Sequence, residues 1–345
     1  FDLVDGFRME LVAHEPDVTD PVAACFDEDG GMYVAEMIDY PRPLHEDERL
    51  SILHEYEILD SAPEQAYDDL VHDESAERPQ SALPHDRDGL VYELGTVSKI
   101  LAPALALFNF LTTRPYNEPL TWGNAIETRE WAWCDALFMA PPALAAVTTA
   151  TGDRKYLDLA NRLWWKTTDY LYDASEHLYF RDSRFFDRRE PNGKKVFWSR
   201  GNGWVFAGIA RVLEELPADH PDRARYITLY REMAEKIAAA QGKDGYWRAS
   251  LLDPDSRSNP ETSGTGFFVY GLAWGINHGV LDRARYEPAV TRGWSAMVQA
   301  VHPDGMLGWV QRVGDQPGAT TADTTEVYGV GALLLAGSEV HTIAK

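Results

Sequence analysis

Residues 131–152 read WAWCDALFMAPPALAAVTTATG, and this stretch decides the fold. Two tryptophans and an aspartate precede a mostly apolar run, which predicts a helix buried on most of its surface. Similar apolar helices recur further along the chain, each opened by an aromatic residue. They begin near Trp133, Trp204, Phe267 and Tyr328, at intervals of 71, 63 and 61 residues.

Amphipathic helices are predicted between the apolar ones, at 153–172, 222–241 and 283–301. Their apolar residues recur three or four positions apart, as at Tyr226 and Leu229. Alternating buried and half-exposed helices predict helical hairpins arranged side by side, which hide their apolar inner faces by closing into a ring. We therefore predict an all-α fold in which the loops at one end of the inner helices surround a central pit.

The number of hairpins bears on whether the ring is complete. Six hairpins would need roughly 350 residues, and the chain has 345. Only about four hairpins can be recognised in the sequence, so we expect the ring to be incomplete or altered at the N-terminus.

The first third of the chain has a different character. Residues 7–40 read as short strands around an Asp-Gly turn and resemble the opening of bacterial membrane-bound dehydrogenase β-propellers. Residues 46–70 resemble the lead-in to GAF-class sensor domains, and 91–99 resemble the nucleophile motif of serine β-lactamases. We predict a mosaic N-terminal segment of uncertain fold at 1–112 and an α/α-barrel catalytic region at 113–345.

Composition narrows the function. A net charge of −23 argues against nucleic acid and against an anionic membrane surface as partners. Cys25 and Cys134 have neither a disulfide framework nor metal-ligand spacing, and no metal or organic cofactor is expected. No apolar run approaches the roughly 20 residues that cross a bilayer. The chain starts at Phe1, so we expect a trimmed form without a visible signal peptide, and the compartment stays open between bacterial cytoplasm and periplasm.

Asp135 is the leading catalytic candidate. Aromatic walls around a carboxyl group exclude water and raise its pKa, which suits it to donate a proton near neutral pH. Trp133, two residues earlier, offers a surface on which a sugar ring can stack. The alternative is that Asp135 only caps the helix, which would stabilise it by roughly 0.5–2 kcal/mol.

A second cluster lies at 198–204, WSRGNGW. Arg200 carries a planar, permanently charged group that fits a carboxylate, and Asn202 and Trp204 lie in the same predicted rim. The alternative is a tight loop whose arginine and tryptophan serve packing alone. Arg181, in the loop after an outer helix, is a further substrate-binding candidate, whereas Glu261 is interpreted as a capping carboxylate.

These motifs resemble the unsaturated rhamnogalacturonyl hydrolases of glycoside hydrolase family 105, over residues of about 113–340. The matching runs, in order, are WCDALFMAPP, FWSRGNGWVFAGIARVLEELP, DGYWRASLLDP with ETSGTGFF, and TEVYGVGALLLAGSEV. The resemblance implies an (α/α)6 barrel, a proton donor at Asp135 beside Trp133, and substrate binding at Arg200 and Trp204. Many members have a histidine where this chain has Arg181. The family's further acidic residue and substrate-contacting asparagine find no match in 1–112.

The resemblance also implies a reaction. The expected enzyme removes a 4,5-unsaturated uronic acid from the non-reducing end of an oligosaccharide produced by a lyase, by protonating and hydrating a vinyl ether. The alternatives are another α/α-barrel carbohydrate enzyme such as a lyase, and a non-catalytic sugar-binding remnant. The preferred polysaccharide, rhamnogalacturonan or ulvan among others, and the oligomeric state are left open.

Overall fold

The chain forms two compact units, Phe1–Ala106 and Leu107–Lys345. The computed structural model describes residues 21–26, 32–36, 105, 108–123 and 130–344. In the first unit, strands β1 (Pro21–Phe26) and β2 (Met32–Glu36) pair antiparallel, which confirms the predicted short strands. The Asp-Gly turn between them and the fragments at 46–70 and 91–99 lie outside the described residues. The second unit begins at Leu107, whereas the predicted boundary lies at residue 113.

The described part of the second unit consists of alternating inner and outer helices. The inner helices are α1 (Ala136–Thr151), α3 (Ser199–Glu215), α5 (Thr262–Asn277) and α7 (Val327–Ala344). The outer helices are α2 (Lys155–Leu171), α4 (Arg223–Ala239) and α6 (Arg283–Gln299). Residues 108–113 are also helical. A small strand pair, β3 (Tyr172–Asp173) and β4 (Leu178–Tyr179), follows α2. The predicted helices are confirmed.

Neighbouring hairpins contact each other in a constant register. The Trp274 indole donates to Glu214, the Asn161 amide donates to Asp222, and Arg283 donates to the carbonyl of Ile343, over separations of 60, 61 and 60 residues. Each inner helix packs against the next inner helix along the chain. Contacts between neighbouring hairpins therefore recur at a separation of about one hairpin, as an α/α barrel requires.

The inner helices α3 and α5 are buried over most of their surface. All residues of α5 from Thr262 to Gly275 are buried. The Phe206 and Tyr230 rings stack at 4.5 Å, which joins inner helix α3 to outer helix α4. Burial of this kind supplies the main favourable free energy of folding and fixes which ends of the inner helices meet.

A close approach joins α1 to α3. Pro141 lies inside α1 and has no N–H to donate to the carbonyl of Leu137, four residues earlier. Gly208 of α3 packs against this carbonyl, and a Cβ atom at position 208 would lie 2.5 Å from the Leu137 oxygen. Only glycine fits here, so the two inner helices that flank Asp135 are held unusually close.

Helix α7 has two different faces. Ala332 and Ala336 are fully buried, whereas Val327 and Leu334 are 64% and 65% exposed. By length and composition alone this helix, with a mean hydropathy of 1.3, would be long and apolar enough to cross a membrane. It packs against α5 and α6, and 22% of the helix is buried.

Candidate active site

Asp135 lies at the start of α1, and it is not a side-chain cap. Its side chain makes no capping hydrogen bond to the helix, and the residue is fully buried. Among the described residues, Oδ1 has no hydrogen-bond partner, and Oδ2 lies 3.6 Å from the Cys134 thiol sulfur. Burial raises the pKa of Asp135, and the charges of Arg181 and Arg200 only partly oppose this. Asp135 therefore does not cap the helix through its side chain, and its role as a proton donor stays a prediction, which the raised pKa favours.

The backbone before α1 explains how this side chain is placed. Trp131 has a φ of +55°, in the left-handed region that non-glycine residues rarely adopt. The Thr167 hydroxyl on α2 donates to the Trp131 carbonyl at 2.9 Å, and the Cys134 N–H donates to the Arg181 carbonyl at 2.9 Å. Contacts from α2 and from the loop that follows it thus hold the turn that carries Asp135.

Arg181 is the charged neighbour of Asp135. Its Nε atom lies 3.5 Å from Asp135 Oδ2, and its Nη1 atom donates to Asp182 Oδ2 at 2.8 Å. Arg184 also donates to both oxygens of Asp182, at 2.9 and 2.8 Å. Burial alone would raise the pKa of Asp182, but the hydrogen bonds from Arg184 and Arg181 outweigh it and the pKa is lowered. The pKa values of these two aspartates are therefore shifted in opposite directions, upward for Asp135 by burial and downward for Asp182 by its hydrogen bonds from arginine.

Trp122 joins these arginines to the predicted aromatic wall. The guanidinium groups of Arg181 and Arg184 lie 4.5 and 4.1 Å from its ring. Trp122 also meets Trp133 edge to face at 6.3 Å. The half-buried Trp133 is therefore part of an aromatic and cationic group on the Arg181 side of Asp135.

Trp204 belongs to a different aromatic group. Its ring contacts Phe267 at 4.2 Å, Phe138 at 4.8 Å and Tyr328 at 6.3 Å, and it is nearly buried. These rings come from all four described inner helices, so Trp204 lies where those helices converge. A sugar ring held between Trp133 and Trp204 stays a prediction.

Arg200 anchors the loop before α7. Its guanidinium donates to the carbonyls of Gln311 and Arg312, the latter at 3.0 Å, and it stacks on the rings of Trp198 and Tyr328 at 4.4 and 4.6 Å. It is nearly fully buried, and its charge acts on Asp135. Arg200 thus places positive charge near the acid, and the carboxylate-binding role stays a prediction beside this structural one.

The side-chain amide of Asn202 hydrogen-bonds only to backbone groups among the described residues. Its Oδ1 atom accepts from the Tyr179 N–H at 2.8 Å, and its Nδ2 atom donates to the carbonyls of Tyr179 and Trp198, each at 3.0 Å. Both N–H donors are used, which fixes strand β4 against the start of α3. The predicted substrate contact stays a prediction, and the role that the structure gives Asn202 is to position the loop with Arg181.

Glu261 caps α5, as predicted, and does more. Its carboxylate accepts from the backbone N–H groups of Ser263 and Gly264 at 3.0 and 2.7 Å. It also accepts from the Ser199 hydroxyl and the Gln311 N–H, both at 3.3 Å. One fully buried carboxylate therefore joins the starts of α3 and α5 to the loop before α7.

Three residues of the site were missed by the sequence analysis: Trp122, Asp182 and Arg184. The spacing RDSR at 181–184 was the available signal, because an aspartate between two arginines suits a charge network. In the part of the chain that the structure describes, no group of three metal-ligating side chains occurs.

The repeated helical hairpins define an α/α-barrel protein, and the buried carboxyl group of Asp135 lies at the start of one of its inner helices. A family model described as Glycosyl Hydrolase Family 88 matches residues 89–344, and the chain belongs to this family. A second model, a domain of unknown function (DUF7133), matches residues 1–61. This match confirms the resemblance seen in the motifs and the predicted α/α-barrel fold. The motifs were compared with glycoside hydrolase family 105, whereas the matching model is described as family 88.

Individual proteins agree with this assignment. An unsaturated 3S-rhamnoglycuronyl hydrolase from Alteromonas sp. (strain LOR) is 45% identical over 259 residues, which cover 72% of this chain and 63% of that protein. A solved structure of a glycosyl hydrolase family 88 protein from Bacteroides vulgatus has a TM-score of 0.65 at 36% identity, covering 72% of this chain and 70% of that one. A structure described as a polysaccharide lyase has a TM-score of 0.63 at 37% identity, covering 70% and 66%. The chain thus spans less than two thirds of the length of the curated relative.

Proposed function

We propose that the protein is a glycoside hydrolase that removes a 4,5-unsaturated uronic acid from the non-reducing end of a rhamnose-containing oligosaccharide. The buried, uncapped carboxyl group of Asp135, with its raised pKa, carries this proposal. The relative named for unsaturated rhamnoglycuronyl hydrolysis, at 45% identity, supports the substrate class.

The unsaturated ring is a vinyl ether, and its chemistry needs one acid. Protonated Asp135 transfers its proton to C4, and the C4=C5 electron pair forms the new C–H bond. The positive charge is then shared between C5 and the ring oxygen. The ionised Asp135 accepts a proton from water as the water oxygen bonds to C5. The hemiketal opens at the C5–O5 bond, and the resulting hemiacetal at C1 releases the next sugar as an alcohol. One water molecule is consumed.

The second carboxylate of ordinary glycosidases is not required at the anomeric carbon. Positive charge beside Asp135 comes from Arg181 and Arg200, and it suits a substrate whose ring bears a carboxylate. Trp133 presents a half-buried ring on the same side of Asp135 as Arg181. Positioning of the ring against the acid supplies a further part of the rate.

The decisive experiment compares the wild type with Asp135→Asn on an unsaturated rhamnoglycuronyl disaccharide. Loss of the ultraviolet absorbance of the conjugated double bond measures turnover. We expect the wild type to bleach this band and Asp135→Asn to leave it intact, with an unchanged circular dichroism spectrum. Near-normal turnover by the variant would remove Asp135 as the donor.

The same measurement addresses a second candidate, which the 37%-identical structure described as a polysaccharide lyase favours. A lyase forms the double bond that a hydrolase consumes, so absorbance would rise on a saturated polysaccharide. Binding of the disaccharide without any change in absorbance would indicate a non-catalytic sugar-binding protein.

A further inference from the structure

A groove of about 630 Å³ lies between the end of α4 and the loop that leads to α5. Its floor contains the nearly buried side chains of Leu251 and Leu252, and its walls carry Lys194, Lys236 and Lys243 among other residues. The volume falls within the range of about 300–1,000 Å³ typical of ligand sites. Apolar floors with polar walls suit sugar rings, which have apolar faces and hydroxyl edges.

The charge of this groove is opposite to that of the chain. Four cations line it, Lys194, Lys236, Lys243 and Arg248, against the two acids Asp244 and Asp255. The whole chain instead has 55 acidic and 32 basic residues. An anionic substrate approaching a protein of net charge −23 is repelled unless such a local field attracts it.

Two of these cationic side chains form ion pairs within the protein, and the other two can bind a ligand. Lys236 pairs with Glu176 at 2.6 Å, and Arg248 pairs with Asp244 at 2.6 Å. Lys194 and Lys243 are exposed, and among the described residues neither ammonium group pairs with a carboxylate. Lysine ammonium groups of this kind can bind the sulfate or carboxylate of a ligand.

The groove is joined to the candidate active site through the backbone. The Leu251 N–H donates to the Phe197 carbonyl at 3.0 Å, and the Ser199 N–H donates to the Ala249 carbonyl at 2.9 Å. Arg200 follows directly in the chain. The loop before α3 thus contributes Lys194 to the groove and leads directly to Arg200 of the candidate site.

A second groove, of about 430 Å³ between α2 and α4, shows that this charge is not general. It is lined by Asp169 and Glu232 with Arg225, and Arg225 is already paired with Asp169 at 3.0 Å. Acids outnumber the cation there, and no anion would be attracted.

We propose that the groove around Lys194 and Lys243, over Leu251 and Leu252, is a distal subsite for the anionic part of an oligosaccharide whose unsaturated end lies at Asp135. The choice of ligand rests on the proposed function. The group bound is an anion on a sugar, either a sulfate ester or a uronate carboxylate.

The test measures binding in an Asp135→Asn background, so that no turnover intervenes. Titration calorimetry at low salt compares Asp135→Asn alone with the same variant carrying Lys194→Gln and Lys243→Gln. The probes are a sulfated rhamnose–uronate tetrasaccharide, its desulfated form and an unsaturated disaccharide. Lys155→Gln, which removes an exposed charge at the start of α2 away from the groove, is the matched control.

Removal of both lysines should weaken tetrasaccharide binding about fivefold, since exposed charge pairs contribute about 0.2–1 kcal/mol each. Disaccharide affinity and the effect of Lys155→Gln should stay within error. A loss confined to the sulfated probe identifies sulfate as the bound group, and an equal loss with both tetrasaccharides identifies the carboxylate.

Unchanged tetrasaccharide affinity in the double variant would overturn the subsite, as would an equal loss in Lys155→Gln. These results are separable from the proposed function. If the wild type turns over the substrate but the lysine substitutions leave binding unchanged, only the subsite proposal is rejected. If the lysine substitutions weaken binding but the wild type shows no turnover, only the hydrolase proposal is rejected.

Discussion

Replacement of Arg181 by glutamine should move the pH dependence of catalysis upward. Arg181 Nε lies 3.5 Å from Asp135 Oδ2, where its positive charge favours the ionised carboxylate and opposes the effect of burial. Without that charge Asp135 stays protonated to higher pH. The alkaline limb of the profile of kcat/KM against pH, which reports loss of the donor proton, should therefore shift to higher pH.

The magnitude follows from the geometry. Two unit charges at this separation interact by about 5 kcal/mol at an effective dielectric constant of about 20, and one pH unit corresponds to about 1.4 kcal/mol. Asp182 shares the same guanidinium at 2.8 Å and offsets part of its field. We therefore expect a shift of about one to two pH units, rather than the full three or so.

The variant should keep its fold. Asp182 retains both of its hydrogen bonds from Arg184, so no buried carboxylate loses all its partners. Arg184→Gln is the control. It removes a guanidinium group of the same loop, and this group contacts Asp182 rather than Asp135. An alkaline limb in Arg181→Gln that is unmoved, or that shifts to lower pH, would refute the assignment of Arg181 as the charge that adjusts Asp135.

Three further outcomes follow from the packing and the caps. Gly208→Ala should lower the free energy of unfolding by about 1–3 kcal/mol, because its Cβ would lie 2.5 Å from the Leu137 oxygen. The control is Gly331→Ala, where an added Cβ meets nothing within 4 Å, and it should be neutral or stabilising. Equal melting temperatures of the two variants in thermal denaturation would contradict the close approach of α1 and α3. Arg200→Ala should raise KM for uronate-terminated substrates more than it lowers kcat, and an unchanged KM would leave Arg200 with only its hold on the loop before α7. Glu261→Ala should cost about 1–2 kcal/mol as a lost cap, measured by denaturant unfolding, and a change of a few tenths would mean that its four partners find water instead.

The helices of the barrel were predictable because their pattern is local. Apolar residues at helical spacing place Tyr226 and Leu229 on one face of α4, and both are buried in the structure. Continuous apolar runs identified the inner helices, and the clearest case is α5, which is buried from Thr262 to Gly275 and so has no polar stripe. The recurrence of these patterns near every 60 residues revealed the hairpins.

The candidate site was predictable only in part. Two tryptophans before Asp135 indicated a sheltered acid, and the structure buries it without a cap. The ligand roles of Arg200 and Asn202 stay predictions, beside the backbone carbonyls to which their side chains donate. A glycine-rich loop with arginine and asparagine has the same composition whether it binds a ligand or binds its own chain. Trp122 was missed because its contacts with Arg184 cross between loops far apart in sequence.

The hydrogen bonds that the Glu261 carboxylate accepts from four residues have a consequence for how such proteins diverge. The Ser199 hydroxyl donates to this carboxylate through its side chain, whereas Gln311 donates through its backbone N–H, so a substitution at Ser199 changes the hydrogen bonding of Glu261 directly. We expect natural variants to exchange side chains that line the mouth while Ser199 and Glu261 are inherited as a pair. Altered sugar preference would then arise without loosening the frame that keeps the neighbouring hairpins aligned.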